Sequence, residues 1–257
     1  MEKEFLKSFK FCDVSFSYVK SEIITEREMH DYHELLFYID GAASLLTENY
    51  TKELKAPSLI FIPKGKYHFF SPKIPENFTR LKISFENAEI EKSLPEDFFR
   101  EIKIAEDFET ASIALLLEVE KRFKKEALSE CDKIYIYGAF LSVISSFSEM
   151  NTKAPERRIS RIVSDAIDFI EKNLKAELSL EAISKNIGVS PSLLSHTFKR
   201  EMGITPHSYV SQKRLFYAKA LLNEGERPTD IFSLCGYRDY SSFYKAYTKA
   251  FKKRPRD

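Results

Sequence analysis

The residue types in this chain best suited to chemistry are three histidines and a glutamate. His30, His33 and Glu34 fall within MHDYHELLFYIDG, and His68 lies in LIFIPKGKYHFF. Imidazoles and a carboxylate are groups that hold divalent metals, so the cluster could serve a metal-dependent oxygenase or isomerase. His30, Tyr32 and Glu34 alternate at period two, which places them on one face of a strand. This cluster has no second matched catalytic motif. The polar and basic residues of the last hundred positions are of another kind, serines, tyrosines, lysines and arginines set on helical patterns. They suit contact with a polyanion better than bond making, so no enzyme is expected.

Charge supports that division. The whole chain of 257 residues carries a net +1, but Glu156 to Asp257 holds 19 Lys and Arg against 12 Asp and Glu, a net +7, and leaves −6 in the residues before it. A basic module joined to an acidic one suggests a polyanion-binding domain with a partner domain of different purpose. At 43% hydrophobic residues the chain reads as globular and long enough for two domains. Its longest apolar runs, Leu35 to Ile39 and Ala114 to Leu117, fall far short of the roughly 20 residues that span a bilayer. MEKEFLKSFKF has no apolar signal core, and Cys12, Cys131 and Cys235 are odd in number and far apart. Reduced thiols and a cytoplasmic location are therefore expected, with no membrane association.

The elements that must position these residues change in kind along the chain. From Val14 to about Phe85, short runs of Ile, Leu, Phe and Tyr are broken by Asp40-Gly41, Ala56-Pro57, Pro63-Lys64-Gly65 and Pro72, the pattern of a β-sandwich or small barrel. Between about Glu106 and Met150, apolar residues recur at three and four, as in two helices. Their stripes are wide enough to suggest a homodimer interface. Asn151 to Arg158 is polar and contains a proline, so it reads as a linker between a domain at 1–150 and another at 159–257.

The second domain reads as helical throughout. Ile162, Ala166, Phe169, Ile170 and Leu174 form a first apolar stripe. Ser179 can cap a short helix that carries Ile183 and Ile187, Gly188 suits the turn, and Ser190 with Pro191 starts a helix to Met202. That is a helix-turn-helix plan. It occurs twice: Pro228 to Leu234, a turn at Gly236, then Asp239 to Phe251 repeat it, with one extra residue after the glycine. Phe198, Phe243 and Tyr247 take core positions, and His207 caps or packs near a helix start. Between the units Pro206 to Leu222 reads as a helix about 25 Å long, a spacer able to set two helices about one DNA turn, roughly 34 Å, apart.

The stretch from LSLEAISKNIGVSPSLLSHTFKREMG to SSFYKAYTKAFKKRP resembles the DNA-binding module of the AraC/XylS regulators, on Leu180, Gly188, Leu194, Phe198-Lys199, Gly203, Pro206, Tyr209, Arg214, Ala218, Ile231, Gly236-Tyr237, Phe243 and Pro255 among others. The resemblance implies seven helices, promoter DNA as partner and direct contact with RNA polymerase, most simply as an activator. It puts Ser192, Ser195 and His196 of the first reading helix, and Tyr240, Ser241, Tyr244 and Lys245 of the second, at base edges. Lys199, Arg200, Arg238, Lys249 and Lys252 fall at phosphates. Two positions depart from the family: Phe232 replaces a small residue, and FKKRPRD replaces the usual ending.

The front half resembles, more loosely, the cupin-like β-barrel that such regulators carry ahead of their helical domain, on His30, Glu34, Gly41, Pro63, Gly65 and His68. In metal cupins the matching His, Glu and His would ligate a divalent metal. Regulators of this type commonly bind a small organic effector instead, or none. The resemblance thus implies an effector site at His30, Tyr32, Glu34 and His68, with no metal and no other cofactor expected. The expected fold is multidomain α+β: a cupin-like barrel with trailing helices, then an all-α double helix-turn-helix domain.

Overall fold

The computed structural model describes residues 5–20, 29–73, 78–106, 108, 110–150, 157–251 and 253–255. It divides into two compact units, residues 1–157 and 158–257.

The first unit is built on two antiparallel sheets. Its strands are β1 (Phe5–Phe11), β2 (Val14–Lys20), β3 (His33–Asp40), β4 (Ala43–Thr47), β5 (Tyr50–Leu54), β6 (Ser58–Ile62), β7 (His68–Pro72), β8 (Thr79–Phe85) and β9 (Lys103–Ala105). The larger sheet has the order β1-β2-β8-β3-β6-β9, and the second contains β5-β4-β7 in that order. These are two separate sheets, so the expected barrel is a sandwich, not closed. A closed barrel buries one face of its sheet. Here, after the short helix α1 (Ala88–Ser93), α2 (Thr110–Phe123) and α3 (Glu130–Glu149) cover the other face of the larger sheet as well, and the sheet is buried without closing.

That double cover explains strands with no polar face. Every residue of β6 is buried, as are His33 to Tyr38 of β3. Alternate β3 residues serve different cores. Leu35 and Phe37 join Phe16, Leu81, Phe85, Phe140 and Phe147 beneath the helices, whereas Leu36 and Tyr38 join Leu45, Ile60, Ile62 and Phe70 between the sheets. The two helices expected before the linker are both present. Ser129 starts α3 in a reciprocal capping box with Asp132, each side chain bonding the other's backbone N–H.

The second unit is six helices among its described residues: α4 (Arg161–Lys172), α5 (Leu180–Asn186), α6 (Pro191–Met202), α7 (Pro206–Asn223), α8 (Pro228–Ile231) and α9 (Tyr240–Phe251). Seven were expected, but no further helix is described after Phe251, where Pro255 cannot donate a backbone bond. The buried line of α4 is Val163, Ala166, Ile167 and Ile170, so the expected stripe is turned, leaving Ile162 and Leu174 only half-buried. Serine caps are in place: Ser179 accepts from Ala182 N at 3.1 Å and Ser190 from Leu193 N at 3.2 Å.

Both helix-turn-helix turns are closed by one hydrogen-bond motif. Val189 N–H bonds Ser184 O and Gly188 N–H bonds Lys185 O; in the second unit Tyr237 N–H bonds Phe232 O and Gly236 N–H bonds Ser233 O. This is the Schellman arrangement, which needs a left-handed residue, and both glycines sit at φ +72°. α8 itself stops at Ile231, three residues before the expected Leu234. Residues 232–235 are turns that tighten into the glycine motif.

Candidate functional site

Two sets of side chains are assembled, one in each unit. In the first, the turn Pro63-Lys64-Gly65 organises the pocket: Gly65 takes a left-handed φ of +74° and its N–H bonds the carbonyl of His30 at 2.8 Å. β3 begins only at His33, so His30 and Tyr32 are not on a strand with Glu34 as expected. They lie in the bend before it, their rings stacked at 4.1 Å, because the bond to the Gly65 turn holds this segment instead of a sheet ladder. His30 Nε2 still reaches Glu34 Oε2 at 2.6 Å. His68, at the start of β7 in the opposite sheet, faces inward with Nε2 3.7 Å from that same oxygen. The four expected effector residues are thus brought together, and His30, Glu34 and His68 are all buried.

Sequence reasoning missed Lys82. Its Nζ sits 2.9 Å from Glu34 Oε1. Burial alone would raise the Glu34 carboxyl, but the Lys82 ammonium and the two histidines outweigh it and hold the group well below the usual carboxylate range. A lysine in the apolar strand β8 was the only local signal. Its partner is fixed by strand pairing, which puts Lys82 opposite Leu36.

His33 does not belong to the cluster. One residue from Glu34 on a strand, it points to the opposite face, against the rings of Phe61, Phe85 and Phe99. Its Nδ1 accepts from Lys64 N at 3.2 Å, so its proton is on Nε2, facing Glu91 at 3.3 Å. Burial pushes this imidazole down to about 4, so it is uncharged at neutral pH. The four-residue catalytic set read from sequence is therefore split between two sides of a sheet.

In the second unit, α6 and α9 are the second helices of the two repeated turns. Each buries one face, Leu194 and Phe198 in α6, Phe243 and Tyr247 in α9, as expected of core residues. The other faces are open: Ser192, His196, Lys199 and Arg200 are exposed on α6, with Ser195 half-buried; Ser241, Lys245 and Lys249 are exposed on α9, with Tyr240 and Tyr244 half-buried. Tyr240 packs against both Phe232 and Phe243, which shows how Phe232 is accommodated. Arg238 is exposed in the turn before α9, and His207 is exposed in the first turn of α7. Lys252 lies outside the described residues. Asp239 accepts from Ser242 N at 2.7 Å and so starts α9.

Arg214, on α7, ties the segment between α4 and α5 to the second glycine turn. Its guanidinium donates to the carbonyls of Leu174 at 3.1 Å, Ala176 at 2.6 Å and Gly236 at 3.3 Å. The contacts span up to 40 residues and could not be seen in local pattern. Among the described residues no helix is long and apolar enough to cross a membrane.

The model of an AraC-like ligand binding domain matches residues 20–118, and that of a helix-turn-helix domain matches residues 183–257. Probable transcriptional regulator LumQ of Photobacterium leiognathi is 35% identical over 102 residues, covering 39% of this chain and 41% of that protein. The lactose operon transcription activator of Staphylococcus xylosus is 30% identical over 95 residues, 37% of this chain and 34% of the relative. The chain thus spans less than half the length of these relatives. The Msm operon regulatory protein of Streptococcus mutans matches over 88% of this chain and 84% of its own, at 18% identity. Among solved structures, ToxT from Vibrio cholerae aligns over 97% of both chains with a TM-score of 0.41 and 14% identity.

Proposed function

We propose that this chain, whose two parts match an AraC-like ligand binding domain and a helix-turn-helix domain, is a sequence-specific DNA-binding transcription regulator of the AraC/XylS type, not an enzyme. The observation that carries the proposal is the repeated glycine turn. Two turns of one hydrogen-bond pattern, joined by the 18-residue helix α7, each end in a helix with a buried apolar face and an open polar and basic face. We assign base reading to Ser192, Ser195, His196, Tyr240, Ser241, Tyr244 and Lys245, and phosphate contact to Lys199, Arg200, Arg238, Lys249 and Lys252. The domain of residues 1–150 senses a small organic effector in the pocket of His30, Tyr32, Glu34 and His68, as its match to a ligand binding domain supports. The regulator works in the cytoplasm, as an activator touching RNA polymerase. Its homodimer forms through α2 and α3, whose exposed Leu117, Ile134 and Leu141 supply apolar surface.

Binding-site selection with the full chain tests the reading. His196→Ala and Tyr244→Ala should change the preferred sequence, at about 1–3 kcal/mol per lost base contact. Lys199→Ala should weaken binding about equally on all sequences and lower the salt slope by roughly one unit. A full-length protein with no salt-dependent affinity for duplex DNA would refute the proposal. If His196→Ala and Tyr244→Ala kept the parental site while affinity fell uniformly, the base-reading assignments would be wrong.

A further inference from the structure

Leu193 occupies the third position of α6, where neither helix capping nor core packing calls for it. It is 47% exposed, while its neighbour Leu194 is wholly buried. Ser190 starts the helix and accepts from Leu193 N at 3.2 Å. After a serine cap this position favours an acid or amide that bonds back to the cap, as Asp132 does to Ser129 in α3. A leucine side chain has no such bond to make. The corresponding position of the second repeated turn is Ser242, since Ser190 matches Asp239 and Leu194 matches Phe243. There the side chain is committed: Ser242 N and Oγ both donate to Asp239, at 2.7 and 2.8 Å. The two helices thus begin alike in backbone but differ in what the third side chain can touch.

The surroundings of Leu193 decide what covers it. One and two turns further along the same side of α6 stand His196 and Arg200, bordered by Ser192 and Lys199, and all four are exposed. No acidic residue precedes Glu201 in this helix. An apolar side chain set in a basic, acid-free surface fits a partner that is anionic at its rim and offers an apolar group within. Duplex DNA has that combination, with phosphates flanking the major groove and the thymine 5-methyl as the apolar feature on its floor. The N-terminal residues of a reading helix are the ones that meet base edges. Resting on the DNA-binding reading above, we infer that Leu193 packs on the 5-methyl group of a thymine. The first unit therefore demands a T·A pair through apolar contact, whereas the neighbouring serine hydrogen-bonds several bases alike. The second unit makes no equivalent demand, because Ser242 is held by its cap.

The test uses the full-length chain and the duplex obtained by binding-site selection. Each thymine of that duplex is replaced in turn by deoxyuridine, which pairs with adenine as thymine does and lacks only the methyl group. Wild-type affinity should fall about three- to fivefold at one position, the contribution of one methyl group moved out of water. In Leu193→Ala the same replacement should have no effect, the unmodified site should bind at least as weakly as the uridine site binds wild type, and the salt slope should be unchanged, since no phosphate contact is lost. Leu193→Met should restore the sensitivity. Alanine at an exposed helical position favours the helix, so both variants should keep the parental melting temperature. A protein that binds duplex DNA with salt dependence but is indifferent to uridine at every thymine overturns the inference and leaves the DNA-binding reading standing. So does a uridine penalty that persists in full in Leu193→Ala. Absence of any affinity for duplex DNA overturns both.

Discussion

Gly188 and Gly236 have the same backbone conformation and the same hydrogen-bond motif, yet alanine should be far more harmful at the second. At both, a Cβ in the left-handed region costs about 1–2 kcal/mol. At Gly188 that is the whole effect, because a Cβ would meet nothing within 4 Å. At Gly236 it would come within 2.5 Å of Arg214 Nη2 and 2.6 Å of Nε, closer than real atoms approach. The guanidinium has room to swing away only by leaving the carbonyls of Leu174, Ala176 and Gly236. Hydrogen bonds to a charged donor contribute about 1.5–3 kcal/mol each. Water recovers part of that for a half-exposed arginine, so the net extra loss is about 2–3 kcal/mol. Gly236→Ala should therefore destabilise by about 3–5 kcal/mol, against about 1–2 for Gly188→Ala.

A double-mutant cycle isolates the clash, since in an Arg214→Ala background Gly236→Ala should cost only the backbone strain. The assay is urea unfolding of the full chain read by amide exchange in α7 to α9, because two units need not unfold together. Equal losses at the two glycines, or no relief from Arg214→Ala, would refute the reasoning.

Two further outcomes are expected. Cys12 and Cys131 are exposed, whereas Cys235 is buried and its thiol is pushed up to about 11 by that burial; a short iodoacetamide pulse at pH 8 should label Cys235 at least roughly a hundredfold more slowly, by peptide mass spectrometry, and equal labelling would contradict it. Hydrogen bonds from Lys125, Ser129 and Arg122 hold the Asp132 carboxyl well below the usual range. Its stabilising contribution is therefore complete above the unfolded value of about 3.9 and is lost as pH falls through the lower folded one. Asp132→Asn should be less stable at pH 7, with the gap narrowing below about pH 4 in urea unfolding; an unchanged gap would exclude this origin.

The helical unit was largely legible in sequence because its determinants are local. Ser179, Gly188, Ser190 and Gly236 act within three or four residues of themselves, and their caps and turns are where the pattern placed them. The exceptions have local causes too: α8 gives way to a glycine-closed turn, and the α4 stripe is turned so that Val163 and Ile167 are buried. The pocket was legible in composition but not in geometry. His30, Glu34 and His68 do meet, but through the Gly65 turn and an opposing sheet rather than along one strand. Period-two alternation already separates His33 from Glu34. Nothing local pairs Lys82 with Glu34 or Arg214 with Leu174, since both depend on which distant segments become neighbours.

Strand β3 is a partition with no slack on either side. Leu36 and Tyr38 form one wall of the inter-sheet space that ends at Glu34, and Leu35 and Phe37, on the same backbone, are wedged beneath α2 and α3. Close-packed interiors compress little. A molecule that lodged against Leu36 and pushed the strand by a few tenths of an ångström would thus push Leu35 and Phe37 by the same amount, and the helices above would have to move or tilt. Occupancy of the pocket would then be felt as a mechanical load on the helix layer, carried across the thickness of one strand.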